Sequence, residues 1–272
     1  MNNALDFALR THAGLVRPLN EDALGADPDA GLFILADGLG GYNAGEIAST
    51  MAVSTLLAEL TAAQEKARAE NTPFDPRAAL RESMVGMNAT IFRAALNSTA
   101  FEGMATTVVI AWVLDGRLWA AHAGDSRLYR FRGGVLEQLT RDHSFSQELL
   151  DAGMVTEEEA RLLPAKNLVT RALGASAEVE PEIHDYDVQA GDLLVLCSDG
   201  LTEMVTHYEI GGLVSACAPD VEEAARRLVD MANEAGGRDN VSVIVVRVDG
   251  APAAGEAQPA AGAVADAGSA AA

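Results

Sequence analysis

One apolar segment sets the strongest constraint on what this chain can fold into. Residues 32–36 carry no polar side chain, the run ends abruptly at Asp37 and Gly38, and a Gly-Gly pair follows. Short apolar runs bounded by turn residues are typical of buried strands, and a helical pattern begins at about Ala44. The Asp37 carboxylate is therefore predicted at the end of a core strand. Gly38 has no Cβ, so its carbonyl can approach a ligand or cation closely.

Two interpretations of this strand end are open. Asp37 and the Gly38 carbonyl have the chemistry of a metal site. An Asp-Gly pair between apolar runs is also an ordinary turn signal, and this stretch taken alone favours the turn.

Composition narrows the class of protein. The chain has 272 residues, of which 49% are hydrophobic, which is enough for a sizeable core. Its formal net charge is −21, so we expect no nucleic-acid partner, because phosphate backbones are bound by Lys and Arg. Cys197 and Cys217 lack the spacing of a zinc site or a disulfide framework, and both are predicted to be buried. No segment resembles a signal peptide or a membrane span, so we expect a cytoplasmic monomer without a membrane partner.

The remaining pattern alternates between helices and β-rich runs. An edge strand is predicted over 5–12, a helix over 44–60 that runs into a solvated connection, and a second helix over 77–97. Runs at 106–114, 117–121 and 126–132 predict an antiparallel meander. A surface flap, 141–173, with helical patches at 145–152 and 156–163, is followed by a strand at 193–198, helices at 208–217 and 221–234, and a last strand at 241–248. Residues 250–272 are almost only Ala, Gly and Pro and are predicted to be a disordered tail.

Four carboxylates stand at comparable places along this pattern. Asp37 and Asp199 follow core strands, Asp125 lies in a turn between strands, and Asp239 directly precedes the last strand. If the strand ends meet, these like charges repel one another unless divalent cations neutralise them. Ligation by oxygen alone favours hard ions such as Mg²⁺ or Mn²⁺.

The motifs around these carboxylates occur in an order that resembles one known family, the metal-dependent protein phosphatases called PP2C or PPM, in their bacterial form. The resemblance extends over about residues 5–248. It rests on R-x-x-N-E-D at 17–22, A-D-G-L-G-G at 36–41, G-x-x-T-T at 103–107, G-D-S-R at 124–127, L-T-R-D-H-S at 139–144, S-D-G-L at 198–201 and R-D-N-V-S at 238–242.

This resemblance implies an α+β fold, a four-layer α-β-β-α sandwich of two antiparallel sheets flanked by helix pairs, over 1–249. It also implies two to three Mn²⁺ or Mg²⁺ ions. Asp37 would bridge two metals, and Asp125 with Asp199 would hold a third, to which Asn167 of the flap could add an oxygen. The implied metal ligands are Asp22, Asp37, Gly38, Asp125, Asn167, Asp199 and Asp239, with Glu21 and Asn240 in an outer shell.

The implied activity is hydrolysis of phosphoserine and phosphothreonine in proteins by a metal-activated water, opposing a bacterial Ser/Thr kinase. The residues assigned to catalysis are Arg17, Asp37, Asp199 and Asp239. Arg17 would clamp the phosphate with its forked guanidinium, although from the residues alone it could equally pair with Glu21 or Asp22. Arg17, Tyr42 and His143 are the expected substrate contacts.

One departure from the family pattern concerns proton transfer. Many bacterial relatives have D-G-M-G-G-H, where this chain has Leu39 and Tyr42 in place of Met and His. Since an unperturbed Tyr is a poor acid at pH 7, either Tyr42 positions substrate or a metal-bound water supplies the proton. The histidines do not form a ligand cluster by spacing, and His122 is predicted to be a satisfied core residue.

Two other functions remain open. A metal-binding module could bind a phosphoprotein or kinase without turnover, although such a binder has little reason to keep every metal carboxylate. A phosphatase dedicated to one switch protein, such as an anti-sigma antagonist, is the other alternative.

Overall fold

The computed structural model describes residues 4–40, 44–163 and 168–250. Tyr42, Asn167 and the predicted tail beyond Gly250 lie outside the described residues. Two antiparallel sheets lie face to face, in strand orders β1-β11-β10-β7-β8 and β2-β3-β5-β6-β9, with β4 paired to the end of β3. In chain order these strands are β1 Ala4–His12, β2 Asp22–Asp27, β3 Leu32–Leu39, β4 Ala105–Thr106, β5 Val108–Leu114, β6 Arg117–Ala123, β7 Arg127–Arg132, β8 Val135–Gln138, β9 Glu182–Asp187, β10 Leu193–Cys197 and β11 Val241–Asp249.

Helices cover both outer faces of the sheets. The first pair packs on the sheet that contains β3, and the last pair packs on the sheet that contains β11. None of the described helices combines the length and apolar character needed to cross a bilayer. The helices are α1 Ala44–Glu70, α2 Pro76–Asn97, α3 Phe145–Asp151, α4 Glu157–Leu162, α5 Asp199–Thr202, α6 His207–Cys217 and α7 Val221–Glu234.

Strand β3 shows why the apolar run has no polar interruption. Successive side chains of a strand point to opposite faces. Leu32 and Ile34 pack with the α1–α2 layer, whereas Phe33 and Leu35 pack between the two sheets. A third cluster lies between the other sheet and helices α5–α7. Three apolar layers separate four layers of secondary structure, which confirms the predicted α-β-β-α sandwich.

Three local predictions were wrong. The run at 126–132 does not continue a meander, because β6 pairs with β9 in one sheet while β7 pairs with β10 and β8 in the other. The first helix does not stop near residue 60 but continues to Glu70, and its polar half still buries Gln64 and Ala67. Strands β2, β8 and β9 were missed because they are short or rich in polar residues. Cys197 and Cys217 are buried free thiols, as predicted.

The segment predicted as a flap, 141–173, holds the two short helices α3 and α4. Its two ends approach each other at a neck, where Ser144 pairs with Val169. There the Phe145 amide donates to the Leu168 carbonyl at 2.8 Å, and the Thr170 amide donates to the His143 carbonyl at 2.9 Å.

Candidate metal and phosphate site

The strand ends meet at one edge of the sandwich and enclose a small cavity. Strands β2 and β3 form a hairpin in which Asp22 lies directly opposite Asp37, so both side chains project from the same face. The cavity has a volume of about 170 Å³. Its lining includes four of the predicted metal carboxylates together with the predicted phosphate clamp: Asp37, Asp125, Asp199, Asp239 and Arg17, and also Glu21, Gly38 and Asn240.

A pair of threonines fixes the backbone of Asp37. The Asp37 amide donates to Thr107 Oγ1 at 3.0 Å, and the Asp37 carbonyl accepts from the Thr107 amide and from Thr106 Oγ1, each at 2.8 Å. In the sequence these threonines end the motif G-x-x-T-T, which by itself indicates no role for them. Their role is to hold the strand end that carries the central carboxylate.

Asp22 is held from one side only. Its Oδ2 accepts a hydrogen bond from Ser198 Oγ at 2.9 Å, and that hydroxyl accepts from the Ser242 amide at 3.0 Å. The buried Asp22 Oδ1 has no hydrogen-bond partner among the described residues, and the same is true of Glu21 Oε1. A buried carboxylate oxygen without a donor is costly. Both atoms fit the place of oxygens that face a cation or its waters.

The carboxylates of the site repel one another in the absence of cations. Desolvation, followed by the charges of Asp22 and Asp199, raises the pKa of Asp37 well above its usual range. Desolvation and then Asp125 do the same for the pKa of Asp199. Desolvation is also the main cause that raises the pKa of Asp22 to about 6 and, together with Asp142, that of Asp125 to about 7. A divalent cation would relieve this repulsion.

These shifts predict an unusual pH dependence for the metal-free protein. The native pKa values of Asp22 and Asp125, about 6 and about 7, lie above the value near 3.8 that Asp has in an unfolded chain. The native state therefore holds more protons than the unfolded state between pH 4 and 7, and stability falls as pH rises through that window. We expect the free energy of unfolding in EDTA to drop by at least about 2 kcal/mol from pH 5 to pH 8.

Urea denaturation at the two pH values measures this drop, and saturating Mn²⁺ should abolish it. The lowered pKa of His143 acts in the opposite direction over the same range. A metal-free protein that gains stability from pH 5 to pH 8 would therefore show that the carboxylates contribute less than the histidines and are not strongly desolvated in the native state.

Asn240 fixes the loop that carries Arg17. Its Nδ2 donates to the carbonyls of Ala13 and Leu19 at 3.0 and 2.8 Å, and its Oδ1 accepts from the Glu21 amide at 2.8 Å. The Arg17 guanidinium pairs with Asp239 Oδ2 at 2.6 Å, not with either carboxylate of its own loop, and its side chain is 53% exposed. Arg17 therefore stands at the mouth of the cavity with donors left for another anion.

His143 lies apart from the residues that line this cavity. Only 8% of it is exposed, and its ring stacks on His122, with ring centroids 4.5 Å apart. His122 is itself buried and bonded to the Arg141 carbonyl at 2.7 Å, as expected of a satisfied core residue. His122, His143 and Glu182 converge from distant segments, a contact that spacing along the chain does not indicate.

Comparison with known proteins identifies the family. A family model described as Protein phosphatase 2C matches residues 17–243, which is more than half of the chain. The chain belongs to the protein phosphatase 2C family. The predicted membership is thereby confirmed.

Two bacterial members of the family each align with 90% of this chain. The chain is 36% identical over 248 residues to protein phosphatase PhpP of Streptococcus pneumoniae, with 90% of this chain and 98% of that protein covered. It is 40% identical over 245 residues to serine/threonine protein phosphatase PstP of Mycobacterium tuberculosis, with 90% of this chain covered. The chain spans 45% of the length of PstP.

A solved structure of the same family shares the fold. The catalytic domain of PstP in complex with two manganese ions superposes with a TM-score of 0.78 at 38% identity, covering 90% of this chain and 99% of that one. Protein phosphatase 2C enzymes require Mn²⁺ or Mg²⁺. The proposed ligands at and beside the cavity all offer oxygen atoms. Two of these oxygens, Glu21 Oε1 and Asp22 Oδ1, are buried without a hydrogen-bond partner among the described residues. They fit such hard cations.

Proposed function

We propose that this protein hydrolyses phosphoserine and phosphothreonine in proteins, with two to three Mn²⁺ or Mg²⁺ ions as cofactors. The observation that carries the proposal is the convergence of Asp37, Asp199 and Asp239 on one cavity beside Arg17. Asp37 would serve two of the ions, and the Gly38 carbonyl would bind one of these two. Asp199 and Asp239 would complete the ligands of the first ion. Asp22, with Glu21 in the outer shell, would act at the second, and Asp125 with Asp199 would hold a third.

The bound ions would activate a water for attack on phosphorus and neutralise charge on the phosphoryl oxygens. The residues of the chain do the rest. The carboxylates fix the ions at the strand ends, and the threonine and serine contacts of Asp37 and Asp22 keep those carboxylates in place. Arg17 is permanently charged and can bind two phosphate oxygens with one fork. Its partner in the structure, Asp239, is one of the residues that would hold a cation.

Arg17→Ala is expected to raise KM for a phosphopeptide by about 10- to 100-fold, because one charge-assisted phosphate contact is lost. The fold should be unaffected, since the side chain is half-exposed. Arg226→Ala is the matched control, because Arg226 pairs with Glu223 and Asp230 on the surface of α7. Steady-state kinetics at saturating Mn²⁺ measure both variants. A fall in kcat at unchanged KM would show that Arg17 acts in the transition state alone.

The proposed partners are phosphorylated proteins, namely a Ser/Thr kinase or the substrates of that kinase. The names of the relatives support the phosphoprotein class. A monomer suffices for this role, because every residue assigned to the site comes from one chain.

Hydrolysis of p-nitrophenyl phosphate and of a phosphothreonine peptide tests the proposed function. We expect release of phosphate from both in Mn²⁺ and none in EDTA. Binding of Mn²⁺ by calorimetry without any release of phosphate would instead favour a metal-binding module that binds a phosphoprotein without turnover. A release that persists in EDTA would overturn the metal-dependent mechanism.

A further inference from the structure

The stacked histidine pair outside the cavity needs an explanation. One candidate role is a metal site, since His122, His143 and Glu182 each offer a ligand atom within 4.8 Å of the others. The two rings are nearly parallel, with 7° between their planes. Imidazole lone pairs lie in the ring plane, so stacked rings do not aim them at a common ion. The Arg171 guanidinium, 3.1 Å from His143 Nε2, also opposes a cation. This geometry is unsuited to a metal.

The contacts of His143 point to a different role. Its Nδ1 accepts a hydrogen bond from the Gly124 amide at 3.1 Å, and its own amide donates to the Gly124 carbonyl at 3.0 Å. Desolvation, then His122, lowers the pKa of His143 to about 4, so the ring is neutral at pH 7. The ring proton therefore sits on Nε2, which faces Glu182 Oε2 at 3.2 Å. His143 is therefore hydrogen-bonded to both the amide and the carbonyl of Gly124.

Gly124 directly precedes Asp125, and its conformation is special. Its φ is +120°, which favours glycine, and a Cβ there would lie 2.5 Å from Thr107 Cβ. The Asp125 carboxylate accepts a hydrogen bond from the backbone of its own residue, which is only 7% exposed. The direction of this carboxylate is therefore set by the turn, and His143 fixes the turn.

His143 also belongs to the neck of the flap. Its carbonyl accepts from the Thr170 amide, and the next residue pairs with Val169, which lines the cavity. The same side chain and backbone thus join the flap neck to the turn that carries Asp125.

We propose that His143 is a positioning residue that aims the Asp125 carboxylate at a cation through its Nδ1 bond to Gly124. This inference rests on the cation role of Asp125 in the proposed function, and it replaces the predicted substrate contact of His143. Loss of the Nδ1 acceptor should lower the affinity for the Mn²⁺ ion that Asp125 holds and leave the affinity for the other ions unchanged.

A matched pair of variants tests this proposal. His143→Asn places an amide oxygen where Nδ1 lies and can still accept from Gly124, whereas His143→Gln places its amide where Nε2 lies and cannot. Mn²⁺ binding is measured by calorimetry and by Mn²⁺ electron paramagnetic resonance. The Asp125→Asn variant identifies the binding event that depends on Asp125, because that event should be lost in it. We expect His143→Gln to weaken that event by about tenfold or more, and His143→Asn to restore it to within a few-fold of wild type.

Thermal unfolding in EDTA checks that the variants fold. If His143→Gln does not fold, His143→Phe replaces it, since Phe keeps a ring on His122 but offers no acceptor, and the same loss is expected. The proposal is overturned if the Asn and Gln variants behave alike, if all Mn²⁺ events weaken together, or if wild type shows no event that depends on Asp125. Binding is measured without turnover, so failure of wild type to release phosphate would instead count against the proposed function.

Discussion

Asp199→Asn is expected to lower kcat/KM by about a thousandfold or more while the protein stays folded. Asp199 follows β10 in the first turn of α5 and lines the cavity with Asp37 and Asp125. The substitution keeps the shape of the side chain and removes one charge. Two of the proposed ions share Asp199, so both lose a ligand charge. Steady-state hydrolysis of a phosphothreonine peptide in Mn²⁺ measures the loss.

Asp199→Asn is also expected to change thermal stability, in a direction that depends on whether a cation is bound. Desolvation and neighbouring carboxylates raise the pKa of Asp199, so its charge opposes folding when no cation is bound. The Tm of the variant in EDTA at pH 8 should therefore equal or exceed that of wild type, and the gain in Tm on adding Mn²⁺ should shrink. Asp115→Asn is the control, because Asp115 is an exposed turn residue after β5. Near-normal activity in Asp199→Asn would remove Asp199 from the metal site.

The buried strands were predictable because strand patterning is local, whereas the α-β-β-α order of the layers came from the family resemblance. An apolar run such as 32–36 can be buried on both faces only if something packs on each side of the sheet. The turn residues after the run placed Asp37 at the strand end, and the same pattern placed Asp199. Motif order supplied what spacing could not, namely that these strand ends belong to one site.

Pairing between distant segments was the part that local pattern could not supply. The turn at Gly124 carries the chain from one sheet to the other, yet its sequence resembles a hairpin turn that would keep both strands in one sheet. The contact of His143 with His122 and Glu182 likewise depends on β9, a polar edge strand with little apolar signal. A positive φ at Gly124 leaves no trace in composition, although a Gly-Asp pair between strands is the one signal that could have indicated it.

Gly38→Ala is expected to cost about 3 kcal/mol or more of folding free energy and to reduce Mn²⁺ affinity with it. A Cβ at Gly38 would lie 2.2 Å from the Gly45 carbonyl oxygen and 2.7 Å from that of Glu21. Both obstacles are backbone atoms. Gly38 also donates its amide to the Glu21 carbonyl at 3.1 Å, so the start of α1 or the loop before β2 must move.

This movement reaches the metal ligands, because Asp37 precedes Gly38 and Asp22 follows Glu21. The loss of stability and the loss of Mn²⁺ binding should therefore appear together, measured by urea denaturation and by calorimetry. Gly86→Ala is the matched control, since a Cβ at Gly86 in α2 meets nothing within 4 Å. This control should raise the free energy of unfolding by about 0.5–1 kcal/mol, because alanine has a higher helix propensity than glycine. A Gly38→Ala protein as stable as wild type would mean that β3 and α1 are not packed this closely.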